Sequence, residues 1–128
     1  MNRKWGVVAV SVLAFTFAAT AMAAPKGLSQ AEAEALIKGN TAEGVNRFKK
    51  NMIWYFDASG ELRKKDDLGN KGKAKWNINK QGKLCYQDKH MRSENCAAIL
   101  PRADGGYDVP FDAQWNWQKI TPGNPHNL

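Results

Sequence analysis

By the pattern of its apolar and polar positions, the chain falls into three regions: an uncharged apolar run, a short stretch of helix formers, and a succession of strand-like runs broken by turn residues. The first is Gly6 to Thr20, rich in Val, Ala, Leu and Phe, preceded by Arg3 and Lys4 and followed by Ala21-Met22-Ala23. A positive flank, a short apolar run and a small-x-small triplet are the parts of a secretory signal peptide. Residues 1–23 are therefore expected to be removed, leaving a mature chain from Ala24. The run is shorter than the ~20 residues that a bilayer-spanning helix needs, which weighs against a retained anchor.

The second region begins at Ser29. Ser29-Gln30-Ala31-Glu32 is a capping box, in which the Ser side chain accepts from the third helical amide and the Glu reaches back to the Ser amide. Good helix formers continue to Lys38, and Gly39-Asn40 is a stop signal. The expectation is one short helix over 29–38 with a narrow apolar stripe of Leu28, Ala35 and Leu36.

The third region is β in character. Met52-Ile53-Trp54-Tyr55-Phe56 is an aromatic-rich run that leads into Asp57-Ala58-Ser59-Gly60. Asp first and Gly fourth mark a three-residue hairpin loop, a type I turn closed by Gly in the left-handed region. The register it sets pairs Phe56 with Leu62 and Trp54 with Lys64. Asn79-Lys80-Gln81-Gly82 repeats the device, pairing Ile78 with Leu84 and Trp76 with Tyr86, so that four apolar side chains share one face. The other face then carries Lys73, Lys75, Asn77, Cys85, Gln87 and Lys89. Further strands are expected at Cys96 to Leu100 and at Tyr107 to Phe111, where Pro110 requires an edge or a bulge. An alternating last strand is expected at Trp115-Asn116-Trp117-Gln118. Thr121 to Leu128 reads as a disordered tail. These elements predict an α+β, mostly β fold: a single domain over 24–120, with a short N-terminal helix on a curved antiparallel meander or half-barrel.

Composition adds two constraints. The 128 residues carry a net charge of +7, of which Arg3 and Lys4 leave with the signal peptide. A basic surface attracts anions. The expected compartment is periplasmic or extracellular, so the partners in view are an acidic glycan, lipopolysaccharide or an acidic protein, and not nucleic acid. The two cysteines, Cys85 and Cys96, lack C-x-x-C spacing and a nearby ligand cluster, and in an oxidising compartment they read as one disulfide.

The order of these features resembles a domain-of-unknown-function family of small secreted proteins from Gram-negative bacteria. The residues that carry it are a capped helix ending in Gly39-Asn40-Thr41 and the aromatic hairpin Tyr55-Phe56-Asp57-x-x-Gly60. After these come Gly72-Lys73-x-Lys75-Trp76-x-Ile78, then Gly82-x-Leu84-Cys85 and Cys96. Members share a Gly-x-Trp…Gly-x-Leu-Cys…Cys core. The resemblance spans about residues 29–100; it implies secretion, the Cys85–Cys96 pairing and a structural role for Trp76 and Gly82, and no activity.

Enzyme chemistry finds little to build on. His90 and His126 are the only histidines. A His90-Met91 pair without a second histidine or C-x-x-C-H is a poor copper or haem site. No Ser-His-acid set can be assembled. Glu61, Asp66 and Asp67 sit beside Arg63-Lys64-Lys65 and read as local ion pairs on a solvated hairpin. Asp104-x-x-x-Asp108 lacks the ligand density of a calcium loop. No catalytic residue, metal or cofactor is expected. Two surfaces remain as candidates: an anion-binding row of Lys71, Lys73, Lys75 and Lys89, and an aromatic platform at Trp115 and Trp117, unless those two rings close the core instead. The expectation is a non-enzymatic binding module. An inhibitor or immunity-type protein of a secreted enzyme, anchored through the Gln87–Asn95 segment with His90 and Arg92, and a carrier of a small apolar ligand are the alternatives.

Overall fold

A computed structural model describes residues 26–128; the expected signal peptide and its cleavage point lie outside them. The first element is helix α1, Gln30–Ile37, opened by the capping box: Ser29 Oγ accepts from the Glu32 amide at 3.2 Å and Glu32 Oε1 accepts from the Ser29 amide at 3.1 Å. The helix ends one residue before Lys38, which is already extended. Its buried side chains are Ala33 and Ile37, four apart on one face. Ala35, expected in the stripe, is exposed. Docking selected the face, since the helix packs on β1, β4 and β5, defined next.

Nine strands follow: β1 Asn40–Val45, β2 Asn51–Phe56, β3 Glu61–Asp66, β4 Lys71–Ile78, β5 Lys83–Gln87, β6 Asn95–Ala98, β7 Leu100–Pro101, β8 Tyr107–Val109 and β9 Trp115–Pro122. All neighbours are antiparallel, in the order β6-β5-β4-β3-β2-β1-β9-β8-β7. The two ends of that order, β6 and β7, are consecutive in the chain and separated by Ile99 alone. One bent segment thus pairs with β5 through its first half and with β8 through its second, and the sheet curls into a nearly closed barrel. The Leu28 amide donates to the Ile99 carbonyl at 3.0 Å, occupying the backbone oxygen that the bend leaves out of the ladder.

Both expected registers are present: Phe56 opposite Leu62, Trp54 opposite Lys64, Ile78 opposite Leu84, and Trp76 opposite Tyr86. The loop that sets them occurs five times, at residues 46–50, 57–61, 66–70, 79–83 and 102–106. In each the first amide donates to the fifth carbonyl and the fourth amide donates to the first carbonyl. The fourth residue has positive φ in every copy: Gly60, Gly69, Gly82, Gly105 and, in the first, Lys49. Gly82 has a second reason to lack a side chain, because a Cβ there would overlap the Leu28 carbonyl oxygen where the helix start lies across the hairpin.

The barrel interior is aromatic. The Trp54 ring lies 5.3–6.1 Å from the rings of Tyr86, Trp115, Phe111 and Phe56, and Phe56 in turn meets Trp76 and Trp117. Trp115 and Trp117 are 6% and 2% exposed, so they close the core and form no platform. Two further expectations are corrected, and one strand is added. Strand β1, Asn-Thr-Ala-Glu-Gly-Val, was not evident in the apolar pattern, because pairing on both sides rather than apolar periodicity holds it. Pro110 ends β8 at Val109. The segment 121–128 is not a disordered tail: β9 runs to Pro122, Thr41 Oγ1 donates to the Gly123 carbonyl at 2.7 Å, and His126 reaches Glu43 at 2.9 Å.

Cys85 and Cys96 face each other on adjacent strands and form the expected disulfide, with Cα atoms 4.0 Å apart. Among the described residues no helix is long and apolar enough to cross a membrane.

Three outcomes follow for folding. Replacing Gly69, where a Cβ meets nothing, by Ala should cost about 1–2 kcal/mol from the left-handed backbone alone, whereas Gly82→Ala should cost clearly more. Urea titration of the two variants checks the order. Cys85→Ser should lower stability by roughly 2–4 kcal/mol through the freed denatured chain, measured by the same titration against reduced and oxidised wild type.

The third outcome concerns acid. The Asp57 carboxyl is held below its usual range by hydrogen bonds from Ser59, and that of Asp66 by the Asn70 side chain and the Asn70 and Leu68 amides. A depressed folded-state value means that the folded chain resists protonation. The stabilisation is complete above the unfolded value of about 3.9 and disappears as pH falls through the lower folded value. Asp66→Asn keeps an acceptor, as Asn46 and Asn79 provide in the sister loops. Its denaturation midpoint should therefore fall less than that of wild type between about pH 5 and pH 2.

Candidate anion-binding cleft

The registers that bury Leu62, Ala74, Trp76 and Ile78 send the intervening side chains outward. On β3 these are Glu61, Arg63 and Lys65; on β4 they are Lys71, Lys73 and Lys75. The outer face of β3, β4 and β5 forms a cleft of about 1080 Å³, and the expected Lys71, Lys73, Lys75 and Lys89 all line it. Five cationic side chains border it, with Arg63 joining those four, against the carboxylates of Glu61 and Asp88; Lys64 also lines it.

Strand β5 stops at Gln87, so Lys89, expected on the outer face of the β4–β5 hairpin, lies in the following turn beside His90. Like charges oppose one another across β3 and β4: Lys65 opposite Lys71 and Arg63 opposite Lys73. Directly opposed like charges destabilise a sheet. Arg63 is partly neutralised. Its Nε donates to Glu61 at 2.6 Å, one terminal nitrogen lies 3.4 Å from Asp57, and the other donates to the Leu128 backbone oxygen at 2.7 Å. The Glu61 bond holds the guanidinium's pKa above its ordinary value. Lys71, Lys73, Lys75 and Lys89 are exposed, and none enters an ion pair among the described residues.

Lys64 comes from the inner face. It pairs with Gly72, whose missing side chain leaves room for the Lys64 stem, and its ammonium lies 5.9 Å from the Trp54 ring and 5.5 Å from the Tyr86 ring. Such a cation over aromatic faces is held favourably, so the Lys64 side chain is tied to the core. Burial against the same surroundings raises the Tyr86 phenol.

The structure also places the acidic and histidine candidates. Asp66 caps its own loop, and Asp67 accepts from the Asn51 amide at 3.1 Å. Asp104 and Asp108 both approach Arg102. His90 lies exposed on the cleft rim. Among the described residues, the one cluster within ligand reach of a common point is Cys85, Glu94 and Cys96, and its two sulfurs are joined to each other.

Sequence reasoning had not assigned Arg63 and Lys64 to this surface. The signal was available: Asp66-Asp67-Leu68-Gly69 has the same Asp-first, Gly-fourth form as the loop at Asp57, and reading it would have aligned β3 with β4. No protein-family model, curated protein or solved structure matches the chain, so the family resemblance seen in the sequence gains no support from these comparisons.

Proposed function

We propose that this is a secreted or periplasmic, non-enzymatic binding module whose β3–β4–β5 face takes an extended polyanion, an acidic glycan or the phosphates of lipopolysaccharide. The observation behind this reading is the row Lys71, Lys73 and Lys75, without ion-pair partners among the described residues, in the cleft where Arg63 already opposes Lys73. Alternate residues of a strand lie roughly 6.5–7 Å apart, so a linear anion running along β4 meets an ammonium at each step. A shared anion would relieve the repulsion between Arg63 and Lys73 and that between Lys65 and Lys71.

The alternatives find less support. The segment expected to anchor an inhibitor is tied back on itself, with Gln87 Nε2 donating to the Met91 carbonyl and Asp88 accepting from the His90 amide. It serves better as a wall of the cleft than as a protruding key. The aromatic rings that fill the barrel weigh against a carrier of an apolar ligand.

The test compares wild type with Lys71→Gln/Lys73→Gln/Lys75→Gln/Lys89→Gln on an immobilised acidic glycan and on lipopolysaccharide. At ~0.05 M salt the variant should bind more than about tenfold more weakly, given about 1 kcal/mol per cation removed from an anionic surface. Wild-type affinity should drop at ~0.2 M salt, where screening is stronger. Equal binding by wild type and a folded variant overturns the assignment.

A further inference from the structure

The two large hydrophobic side chains that stand exposed among the described residues are Phe48, at 62%, and Leu68, at 84%. Single exposed apolar residues are ordinary; the arrangement of these two is not. Phe48 is at the tip of the β1–β2 loop and Leu68 at the tip of the β3–β4 loop. In an antiparallel meander these loops lie at the same end of the barrel, opposite α1. The two tips are joined, because Asp67 accepts from both the Asn51 amide and its side chain. The Phe48 loop is also braced from behind by the Arg47 amide, which donates to the Ala113 carbonyl at 3.0 Å.

We infer that this end of the barrel is a membrane-contact surface, on which Phe48 and Leu68 enter the interfacial layer of an anionic bilayer and the adjoining cations engage its headgroups. The charge next to Phe48 fits that occupant: Arg47, Lys49 and Lys50 flank it within the same loop, with no carboxylate between them. The Arg47 guanidinium lies 4.7 Å from the Phe48 ring centre. An apolar tip ringed by basic side chains is what an anionic lipid surface attracts. Lys71 and Lys89 lie toward this same end and continue the positive field along the cleft. The two carboxylates beside Leu68 are hydrogen-bonded within the protein, Asp66 to its loop amides and Asp67 to Asn51, and Asp66 also interacts with Lys50, which leaves Arg47 and Lys49 as the freer cations of the tip.

The backbone of the loop points the same way. Five loops share one conformation, and four have glycine at the left-handed position. The one bearing Phe48 has Lys49 there, at φ 60°. A side chain in that conformation is strained relative to glycine. Strain of this kind clusters at functional sites, and the residue that bears it here is a third cation next to Phe48 in the loop.

Vesicle co-sedimentation tests the inference, with mixed phosphatidylglycerol–phosphatidylcholine and with pure phosphatidylcholine vesicles. Wild type should bind the anionic vesicles and not the neutral ones. Phe48→Ser/Leu68→Ser should bind the anionic vesicles about tenfold or more weakly, since membrane affinity scales with buried apolar area. Its thermal midpoint should be unchanged, because both side chains are solvated in the free protein. Lys49→Gly should raise the thermal midpoint by a few degrees and also weaken vesicle binding, a combination that a purely structural role would not produce. The inference is separable from the cleft reading, because the tip variant should retain wild-type behaviour toward a soluble acidic glycan. No wild-type binding to anionic vesicles, binding indifferent to lipid charge, or equal binding by the tip variant would each overturn it.

Discussion

Successive side chains of a strand point to opposite faces, and this molecule depends on that alternation being phased correctly at every strand. Trp54, Phe56, Leu62, Ala74, Trp76 and Leu84 face the interior while Tyr55, Arg63, Lys73, Lys75 and Lys83, between or beside them, face out. A slip of one residue in β4 would exchange Trp76 for lysine inside the barrel. The phase is set locally, by loops in which an Asp or Asn at the first position of the turn holds later amides and a left-handed fourth residue closes the turn. Core and cleft are thus two consequences of one register.

Closure supplies what the loops do not. The segment from Asn95 to Pro101 serves both free edges of the sheet, and only Ile99 separates the two pairings. Its first half is bonded covalently to β5 through the Cys85–Cys96 rung, and its bend receives the Leu28 amide just before the helix begins. Helix, disulfide and bend therefore meet around one seam. Across the barrel, Trp54 of β2 contacts Trp115 of β9 and Tyr86 of β5, so elements distant in the sequence share one aromatic cluster.

The outer face is arranged against its own electrostatic preference. Opposing Arg63 to Lys73 and Lys65 to Lys71 costs stability that neutral side chains would not; Glu61 and Asp57 offset the guanidinium, and Glu61 also stands opposite Lys75. At the end of the barrel, Lys49 is held in a backbone region where the sister loops have glycine. Both departures concern cations, and both lie where a negatively charged partner would lower the energy of the bound state. The cleft and the tips are separate surfaces of one barrel, the first proposed here for a linear anion and the second for a planar one.

Much of this was legible from local chemistry. Ser29 and Glu32 specify the helix start because both partners lie within four residues, and Asp57…Gly60 and Asn79…Gly82 specify their hairpins because a three-residue loop admits one register. Two cysteines pointed to the disulfide, and the Asn79…Gly82 register to Lys71, Lys73, Lys75 and Lys89 as a surface row. Other features depended on partners far along the chain. Strand β1 has almost no apolar pattern and exists because β2 and β9 hydrogen-bond to both its edges. Lys49 gives no glycine signal for the first loop, and Arg102 no Asx signal for the last. Trp115 and Trp117 alternate equally well for a core or a platform, and the segment after Pro122 carries only turn residues. Sequence alone determined the short-range elements, whose energies are decided within a few residues. The barrel closure, the burial of the last tryptophans and the docking of residues 123–128 were decided by tertiary structure, because each is a contact between segments whose neighbours no local signal names.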